Sequence, residues 1–349
     1  MERKLATIQK ITAIDKIPNA DNIVVASILG WKVVVKRDEF NVGDLVVYCE
    51  IDSFLPVKPE FEFLREYNCF KKNGELEGFR IKTVKLRQQV SQGICFPLSI
   101  FKDMFIAVEE GMDVSDILGI VKYLLPIPEN MKGLTKGNYP SFGIKSDEPR
   151  VQNLQEILTK FKGTKCVITE KIDGGSATYY IKDGEFGVCS HHIELKETDN
   201  NLFWKVAREQ KIEEKLRSLG KNVMIIGELC GIGINKNLSR ITNTTVLFFD
   251  AFDVDKFKHH SHNNFVSLLQ KLELQIVPII ESNYVLDDDV VKLVEKSKGY
   301  SMLNPKMIRE GIIIRQLEYV DDSSMYFGVD NNRLSFKVLN PDYLLKFEE

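Results

Sequence analysis

The sequence predicts an α+β protein of two domains, and three observations support this fold class. Strand-like patterns fill residues 1 to about 100, and apolar strand patterns recur in the second half among helical patterns, without regular β-α-β alternation. A chain of 349 residues is long enough for two separate cores. A stretch rich in Pro, Gly and Asn at 126–143 predicts the linker. We therefore expect domains at 1–125 and 144–349.

The N-terminal part predicts a small β-barrel. Apolar segments at 23–28 and 31–35 flank Gly30 and predict a hairpin. A closed or nearly closed barrel is expected because closure removes exposed strand edges. Helical patterns follow at 97–105 and 114–123.

One segment of this part, Phe79–Arg87, alternates apolar and basic residues. Its phase slips at Thr83-Val84, which predicts a bulge or a bend. The alternation places four cations on exposed faces: Arg80, Lys82, Lys85 and Arg87. A solvated strand face and contacts to phosphate are both consistent with this pattern.

The second part predicts mostly antiparallel strands with flanking helices. Helical patterns occur at 154–161, 198–219 and 264–272. The predicted strands are a pair around Lys171 and Gly187 and four further apolar segments at 223–226, 246–249, 311–314 and 334–338. This order does not fit a dinucleotide-binding fold, which would require alternating strands and helices.

Composition excludes several classes of protein. The formal net charge of -3 means that any surface for nucleic acid must be a local basic patch. The sequence shows no secretory signal and no apolar run of membrane-spanning length, so we expect an intracellular protein without fixing its compartment. The six scattered cysteines lack zinc-ligand spacing and predict buried free thiols. The histidines at 259–262 predict a solvated loop rather than a metal site.

The most informative pattern is Glu-Lys-Ile-Asp-Gly-Gly at 170–175. Lys171 is a potential nucleophile, and the glycines leave room for backbone to approach a phosphate. If Lys171 lies on a strand, Asp173 projects to the same face and could bind metal beside it. Alone, the pattern is equally consistent with a surface β-turn.

Other charged residues stand at the ends of, or within, predicted apolar strands, where a core does not require them. They are Glu228, Asp253, Glu310 and Lys337. Together with Lys171 and Asp173 they predict a charged cleft lined by strands.

Five motifs in this order resemble those of the covalent nucleotidyltransferases, the superfamily of ATP-dependent ligases and mRNA capping enzymes. Residues 171–174 resemble the nucleophile motif, and residues 227–231 resemble the motif that binds ribose and metal. Residues 248–253 resemble the strand that stacks on adenine. Residues 310–315 resemble the motif for metal and phosphate, and residues 336–338 resemble the phosphate-binding lysine motif. In the third, we expect Phe252 to stack on the adenine.

The resemblance implies that Lys171 attacks the α-phosphorus of ATP and becomes a lysyl-AMP. It implies a set of nucleotide-binding residues: Arg150, Glu170, His191, Glu228, Phe252 and Lys337. It also implies Mg²⁺ or Mn²⁺ on Asp173, Glu228 and Glu310. Attack requires a neutral amine, and lowering a lysine pKa from about 10.4 to near 7 costs about 4.6 kcal/mol. A nearby dication and a partly desolvated cleft can supply that shift.

The layout resembles one branch of this superfamily, the RNA ligases of the Deinococcus and Naegleria type. Twelve residues follow Lys337, which leaves no room for the C-terminal OB domain of DNA ligases and capping enzymes. The predicted barrel instead precedes the nucleophile, with Asp147–Asn153 between them. The resemblance implies an N-terminal OB domain, an adenylyltransferase domain, and nick sealing in which the 3′-OH strand is RNA. The basic segment would then grip the duplex backbone, and we expect a monomer.

Two positions depart from this pattern. Ser190-His191-His192 stands where the family has Ser-Arg-Asn, and Leu339 stands where a second lysine is expected. Histidine does not replace the planar fork of an arginine. Two alternatives therefore stay open: another covalent nucleotidyltransferase (a DNA ligase or a capping guanylyltransferase), or a degenerate relative that only binds nucleic acid.

Overall fold

The computed structural model describes residues 4–67, 69–73, 76–102, 107–123, 133–145, 147–318 and 333–347. The chain divides into two compact units, one formed by Met1–Ile127 with Leu344–Glu349 and the other by Pro128–Tyr343. The class is α+β with antiparallel sheets, as predicted. None of the helices in the described ranges is long and apolar enough to cross a membrane.

The N-terminal unit is built almost entirely from short strands. In chain order they are β1 (Ala6–Lys16), β2 (Ile23–Ile28), β3 (Trp31–Lys36), β4 (Leu45–Cys49), β5 (Ser53–Pro56), β6 (Phe70–Asn73), β7 (Leu76–Arg80), β8 (Thr83–Leu86), β9 (Gln89–Gln92), β10 (Ile94–Pro97) and β11 (Val121–Lys122). They form a sheet of order β10-β4-β1-β2-β3, a sheet of order β11-β5-β7-β6, and the hairpin β8-β9. The helical patterns predicted at 97–105 and 114–123 contain only short turns in their described residues, a 3₁₀ segment at Leu98–Phe101 and α1 (Ser115–Leu118). A further 3₁₀ segment, Glu62–Tyr67, was not predicted.

Strand β1 gives the larger sheet its curvature. Its first half pairs with β4 and its second half with β2, and the register shifts between Ile11 and Ala13. Such a bulge bends a strand and increases its twist, so one strand can serve two parts of a barrel-like sheet. On β3, the Val34 amide donates to the Ser91 hydroxyl at 2.9 Å, which brings β3 beside β9. The result is the curved sheet that the sequence predicts.

The two local predictions for this unit have different outcomes. The hairpin of β2 and β3 is confirmed: Ile28 pairs with Trp31 across a two-residue turn at Leu29-Gly30. The segment 79–87 is not one bulged strand, because β7 ends at Arg80 and β8 begins at Thr83. Arg87 and Gln88 then adopt φ values of 48° and 71° and form the tight turn to β9.

The second unit contains two sheets with helices against them. Its strands are β12 (Thr135–Asn138), β13 (Lys165–Lys171), β14 (Gly175–Lys182), β15 (Glu185–Cys189), β16 (Ile193–Leu195), β17 (Val223–Cys230), β18 (Thr245–Asp253), β19 (Lys258–His259), β20 (Ile279–Val285), β21 (Gly311–Gln316) and β22 (Ser335–Leu339). Its helices are α2 (Gln155–Lys160), α3 (Leu202–Glu209), α4 (Ile212–Arg217), α5 (His262–Lys271), α6 (Val290–Ser297) and α7 (Pro341–Phe347). The sheet orders are β12-β16-β15-β14-β17-β18-β19 and β20-β13-β21-β22.

Each sheet of this unit has its own apolar layer. Side chains of α3, α4 and α5 pack with the large sheet, and side chains of α2 and α6 pack with the small one. The single charged helix predicted at 198–219 is two helices, because the chain turns at Lys211, where φ is 54°. All six cysteines are free thiols; five are buried and Cys69 is partly exposed, close to the prediction.

The segment predicted as a linker, 126–143, contains an edge strand in its described part. Residues 124–132 lie outside the described residues, but Thr135–Asn138 forms β12 and pairs with β16. Just beyond it, the Tyr139 hydroxyl donates to the Ile144 carbonyl at 2.9 Å. Gly137 and Asn138 are therefore part of an edge strand, which tolerates such residues better than a central strand does.

We expect Gly78→Ala to destabilise the N-terminal unit. A Cβ at this position on β7 would lie 2.3 Å from the Leu55 carbonyl oxygen and 2.9 Å from the Phe54 ring, so β5 and β7 would have to separate. Overpacking of this kind costs about 1–3 kcal/mol. Calorimetric unfolding of the full chain measures it, with Gly137→Ala on β12, where a Cβ meets no atom within 4 Å, as the control. Equal unfolding temperatures for the two variants would contradict the close approach of β5 and β7.

Candidate active site

Lys171 is the last residue of β13 and faces a carboxylate supplied by the neighbouring strand. Antiparallel pairing sets Lys171 opposite Gly311, the first residue of β21, so Glu310 just before it also lies at this strand end. The Lys171 Nζ and the Glu310 Oε1 are 2.6 Å apart. The sequence therefore places an amine and a carboxylate in contact although they are far apart along the chain.

The turn after Lys171 passes very close to β17. A Cβ on Gly174 would lie 2.3 Å from the Leu229 carbonyl oxygen and 2.9 Å from the Glu228 Cγ, so only glycine fits. The Asn235 side chain donates to the Gly174 carbonyl at 2.5 Å and holds the turn in place. This approach brings the carboxylates of Glu228 and Asp173 close enough to Lys171 to interact electrostatically with its amine.

These carboxylates set the charge of the lysine. Burial alone would lower the pKa of Lys171, but Glu310 and Glu228 outweigh burial and raise it above its ordinary value. Burial raises the pKa of Glu228 to about 8 and raises that of Glu310 as well. In the protein without a metal the anionic neighbours therefore favour the ammonium form, and the predicted lowering of the Lys171 pKa would require the dication.

The donor set suits a hard divalent cation. The Asp173 Oδ2 and the Glu310 Oε2 are buried and have no hydrogen-bond partner, so each has lone pairs for a cation. In the described ranges, however, no three Asp, Glu, His or Cys side chains form a metal cage of their own. The predicted ligands Asp173, Glu228 and Glu310 surround Lys171 without closing into such a cage. This matches Mg²⁺, which typically takes one or two carboxylates and completes its shell with water and substrate phosphates.

Lys171 and Glu228 line a cavity of about 200 Å³ between the two sheets. Charged residues line one part of it, and Ile172, Phe249 and Val277 line another. A pocket with an apolar part and a few convergent charges fits a nucleotide, whose base is flat and whose phosphates are anionic.

Glu170 is buried in the wall of this cavity. Its Oε2 accepts a hydrogen bond from the Met302 amide at 2.8 Å, and the Ser301 hydroxyl also bonds to the carboxylate. Burial raises the pKa of Glu170 despite these bonds. The loop around Met302 thereby fixes the carboxylate at the pocket. Contact of Glu170 with the nucleotide stays a prediction.

Two cations, Lys337 and Arg150, lie close together, and Lys337 lines the cavity. The Lys337 Nζ on β22 lies 3.0 Å from the Asp147 Oδ1, and the backbones of Arg150 and Lys337 form a bridge. Burial lowers the pKa of Lys337, the positive charges of Arg150 and Lys171 lower it further, and Asp147 acts against them. Contact of these two cations with a phosphate stays a prediction.

The aromatic residue at the pocket is Phe249, not Phe252. Phe252 is fully buried among Ile144, Met224 and other core residues, whereas Phe249 is half-buried and lines the cavity. The cause is a β-bulge: Ile226 pairs with Asp250 and Gly227 pairs with Phe248, so Phe249 is an extra residue in β18. Both phenylalanines precede an aspartate, and sequence spacing could not show which one the bulge turns toward the pocket.

Two other predicted residues lie elsewhere. His191 is not among the residues lining the cavity, and its ring stacks edge-on against His192 with centroids 4.2 Å apart. Arg80 is only 8% exposed, pairs with the Asp52 Oδ1 at 3.0 Å, and lies over the Tyr123 ring. Its predicted exposure is wrong because β7 ends there, which breaks the alternation. Lys85 and Arg87 are exposed and Lys82 is partly exposed.

The sequence reasoning missed a buried ionic network beside the pocket. The Arg315 Nη2 lies 2.8 Å from the Glu148 Oε1, and the Arg333 Nη2 lies 2.6 Å from the Asp250 Oδ2 and 3.4 Å from the same Glu148 oxygen. Although burial would raise it, Arg333 and His259 hold the pKa of Asp250 well below its ordinary value. The one sequence signal for this network was that Arg315 is the last residue of the motif at 310–315.

The histidine segment belongs to this network rather than to a solvated loop. The His259 Nδ1 lies 3.0 Å from the Asp250 Oδ2, and the ring is buried. Ser261 caps α5 by accepting from the Asn264 amide. A polar sequence around the histidines concealed their burial because one internal carboxylate is enough to pair with an imidazole.

A lysine amine held among carboxylates and cations, in a pocket between two antiparallel sheets, is the arrangement of a covalent nucleotidyltransferase. Family models agree: one described as an RNA ligase matches residues 164–339, and one described as an OB-fold domain matches residues 5–98. The chain belongs to the RNA ligase family.

Solved structures of Naegleria gruberi RNA ligase are similar over the full length of the chain. A mutant of that ligase with AMP and Mn is 34% identical, with a TM-score of 0.90 and 99% of each chain covered. The same ligase with PPi gives the same values, and a mutant with ATP and Mn is 33% identical. No curated protein sequence matches the chain.

We expect Asp250→Asn to lower the free energy of unfolding of the second unit by about 3 kcal/mol at pH 7, because it leaves buried cations without their counter-charge. The folded pKa of Asp250 is depressed, so its stabilising contribution is fully present above its unfolded pKa of about 3.9 and is lost progressively as the pH falls from that value toward the folded pKa. In denaturant unfolding, the free energy of unfolding should fall less between pH 7 and pH 3 in the variant than in the natural protein.

The control for this substitution is Asp199→Asn on the exposed loop before α3. It should unfold like the natural protein at every pH. If Asp250→Asn also did so, the network would contribute nothing to stability.

Proposed function

We propose that the protein is an ATP-dependent RNA ligase that joins a 3′-OH to a 5′-phosphate through a covalent lysyl-AMP. The observation that carries the proposal is the contact of the Lys171 amine with Glu310 beside a cavity that Lys171 lines together with other charged residues and Phe249. The Naegleria ligase structures with ATP or AMP and Mn support the choice of nucleotide and of a divalent metal.

In the first step, the Lys171 Nζ forms a bond to the α-phosphorus of ATP, and pyrophosphate leaves. The amine must lose its proton first, and the Glu310 Oε1 at 2.6 Å is placed to accept it. A divalent cation held by Asp173, Glu228 and Glu310 would neutralise the charges that raise the lysine pKa. Lys171 would thus become a neutral, nucleophilic amine when metal and nucleotide bind together.

The remaining pocket residues orient the nucleotide. Lys337 and Arg150 lie where they can compensate the negative charge that grows on the α-phosphate. The ring of Phe249 offers a face on which the base can stack, and the Glu170 carboxylate lies on the same cavity. Arg150, Glu170, Glu228, Phe249 and Lys337 form the nucleotide site we propose.

Two further steps complete the ligation. An oxygen of the RNA 5′-phosphate attacks the phosphorus of the lysyl-AMP, which frees Lys171 and leaves AMP joined to the 5′-end through a pyrophosphate. The terminal 3′-OH then attacks the 5′-phosphate, and AMP departs as the phosphodiester bond forms. We propose a nicked duplex with an RNA 3′-OH strand as the substrate and a monomer as the active form.

We assign the grip on nucleic acid to residues 1–125 and the chemistry to residues 144–349. The hairpin β8-β9 presents exposed Lys85 and Arg87, with Lys82 at its base, which suits contacts to a phosphate backbone. Arg80 is left out because its charge is already paired inside the unit. The six free thiols suit a reducing compartment inside the cell.

Labelling with α-³²P ATP and Mg²⁺ or Mn²⁺ tests the first step. We expect acid-stable label on the natural protein and none on Lys171→Met, because only that amine reaches the α-phosphorus. Lys165→Met, at the exposed start of the same strand, should label normally. Label from GTP alone would indicate a capping-type enzyme, and label persisting in Lys171→Met would refute the nucleophile.

The salt dependence of binding to a nicked duplex tests the N-terminal unit. Replacing Lys82, Lys85 and Arg87 by Ala should reduce the slope of log K against log salt by about 2 to 3. Each phosphate contact that is lost removes the release of about one counterion on binding. Replacing three exposed lysines of the second unit (Lys205, Lys256 and Lys271) provides the matched control. The same slope in both variants would indicate that the β8-β9 hairpin is a solvated face that makes no phosphate contacts.

A further inference from the structure

Arg315 connects the nucleotide cavity to the buried ionic network. Its side chain is 9% exposed, and its guanidinium donates in three directions. The acceptors are the Phe249 carbonyl at 2.7 Å, the Glu148 Oε1 at 2.8 Å and the Ser335 hydroxyl at 3.0 Å. Three bonds from one planar group fix both its position and its orientation.

The bond to Phe249 occurs at the bulge in β18. Phe249 is the extra residue between two paired positions, so its carbonyl falls outside the regular ladder of β17 and β18. The Arg315 Nη1 supplies a partner to this buried carbonyl, and the guanidinium also lies 5.3 Å from the centre of the Phe249 ring. Arg315 therefore contacts Phe249 at both its backbone and its ring.

A second, small cavity borders Phe249. Its volume is about 30 Å³, and Phe265 and Arg315 also line it. Its walls include Asp250 and Arg333, so the ionic network closes this space. Without the guanidinium the cavity would enlarge, and the ring would lose the contacts that keep it toward the nucleotide.

We propose that Arg315 is a positioning residue that holds the Phe249 ring against the nucleobase of ATP. Arg315 then governs how tightly ATP binds, while the chemistry at Lys171 depends on other groups. This rests on the proposed stacking of the base on Phe249. It assigns to the network of Glu148 and Arg315 a role in nucleotide affinity beyond stability.

Single-turnover adenylation over a range of ATP concentrations tests this with Arg315→Met, Phe249→Ala and the double variant. Each single variant should raise the half-saturating ATP concentration about tenfold, the size expected for loss of one stacked base. The maximal rate should change little. The double variant should be no worse than either single variant, because Arg315 acts only through Phe249.

A second readout separates the base from the phosphates. In the Lys171→Met background, calorimetry should show that Arg315→Met weakens ATP binding about tenfold and leaves inorganic pyrophosphate binding unchanged. Arg315→Lys should not restore ATP binding, because one ammonium cannot reach three acceptors in a plane.

The matched control is Arg80→Met, which also removes a buried, ion-paired arginine. It should lower the unfolding temperature and leave half-saturation by ATP unchanged. Additive effects in the double variant, or equal losses of ATP and pyrophosphate binding, would overturn the positioning role. Normal ATP affinity in Phe249→Ala would instead overturn the stacking on which it rests.

Discussion

The register of β13 against β21 is the constraint on which the rest of the site depends. It sets Lys171 opposite Gly311, so the amine meets Glu310. A slip of one residue would turn every side chain of β13 to the opposite face. Gly311 also lets β22 approach closely, since a Cβ there would lie 2.4 Å from the Val338 carbonyl oxygen. The same pairing thereby fixes Lys337 beside the lysine that it assists.

The electrostatics of the pocket would couple activation of the proposed nucleophile to binding. The carboxylates of Glu310 and Glu228 favour the ammonium form of Lys171. A cation bound to these carboxylates would weaken their hold on the proton and make the amine available. Because Mg²⁺ prefers a shell that includes substrate phosphates, the amine of Lys171 would then become reactive only once ATP is in place.

The sequence predicted the parts of the site that local patterns determine. Lys171, Glu228, Glu310 and Lys337 lie on or beside strands whose apolar runs are easy to recognise, and antiparallel pairing brings them together. The rest depends on events that short patterns do not encode. The bulge in β18 turns Phe249 rather than Phe252 toward the pocket. Strand β7 ends at Arg80, and this residue is buried. Glu148 and Arg315 form an ion pair although they are far apart along the chain. The edge strand within the expected linker has the same origin, since a partner strand decided it.

The two departures from the family pattern have different structural consequences. Leu339 stands two residues after Lys337, on the same side of β22, but its side chain is 8% exposed and its backbone pairs with Gly311. A lysine there would start at a buried position, so its ammonium group would have to extend out of the packed residues to reach a phosphate. His191 lies at the end of β15 away from the residues that line the cavity. Under the proposed function, charge compensation at the α-phosphate would therefore depend on Lys337 and Arg150, whose backbones are bridged at β22. The strand pairing that places Lys171 would then also place the groups that compensate the charge developed in its reaction.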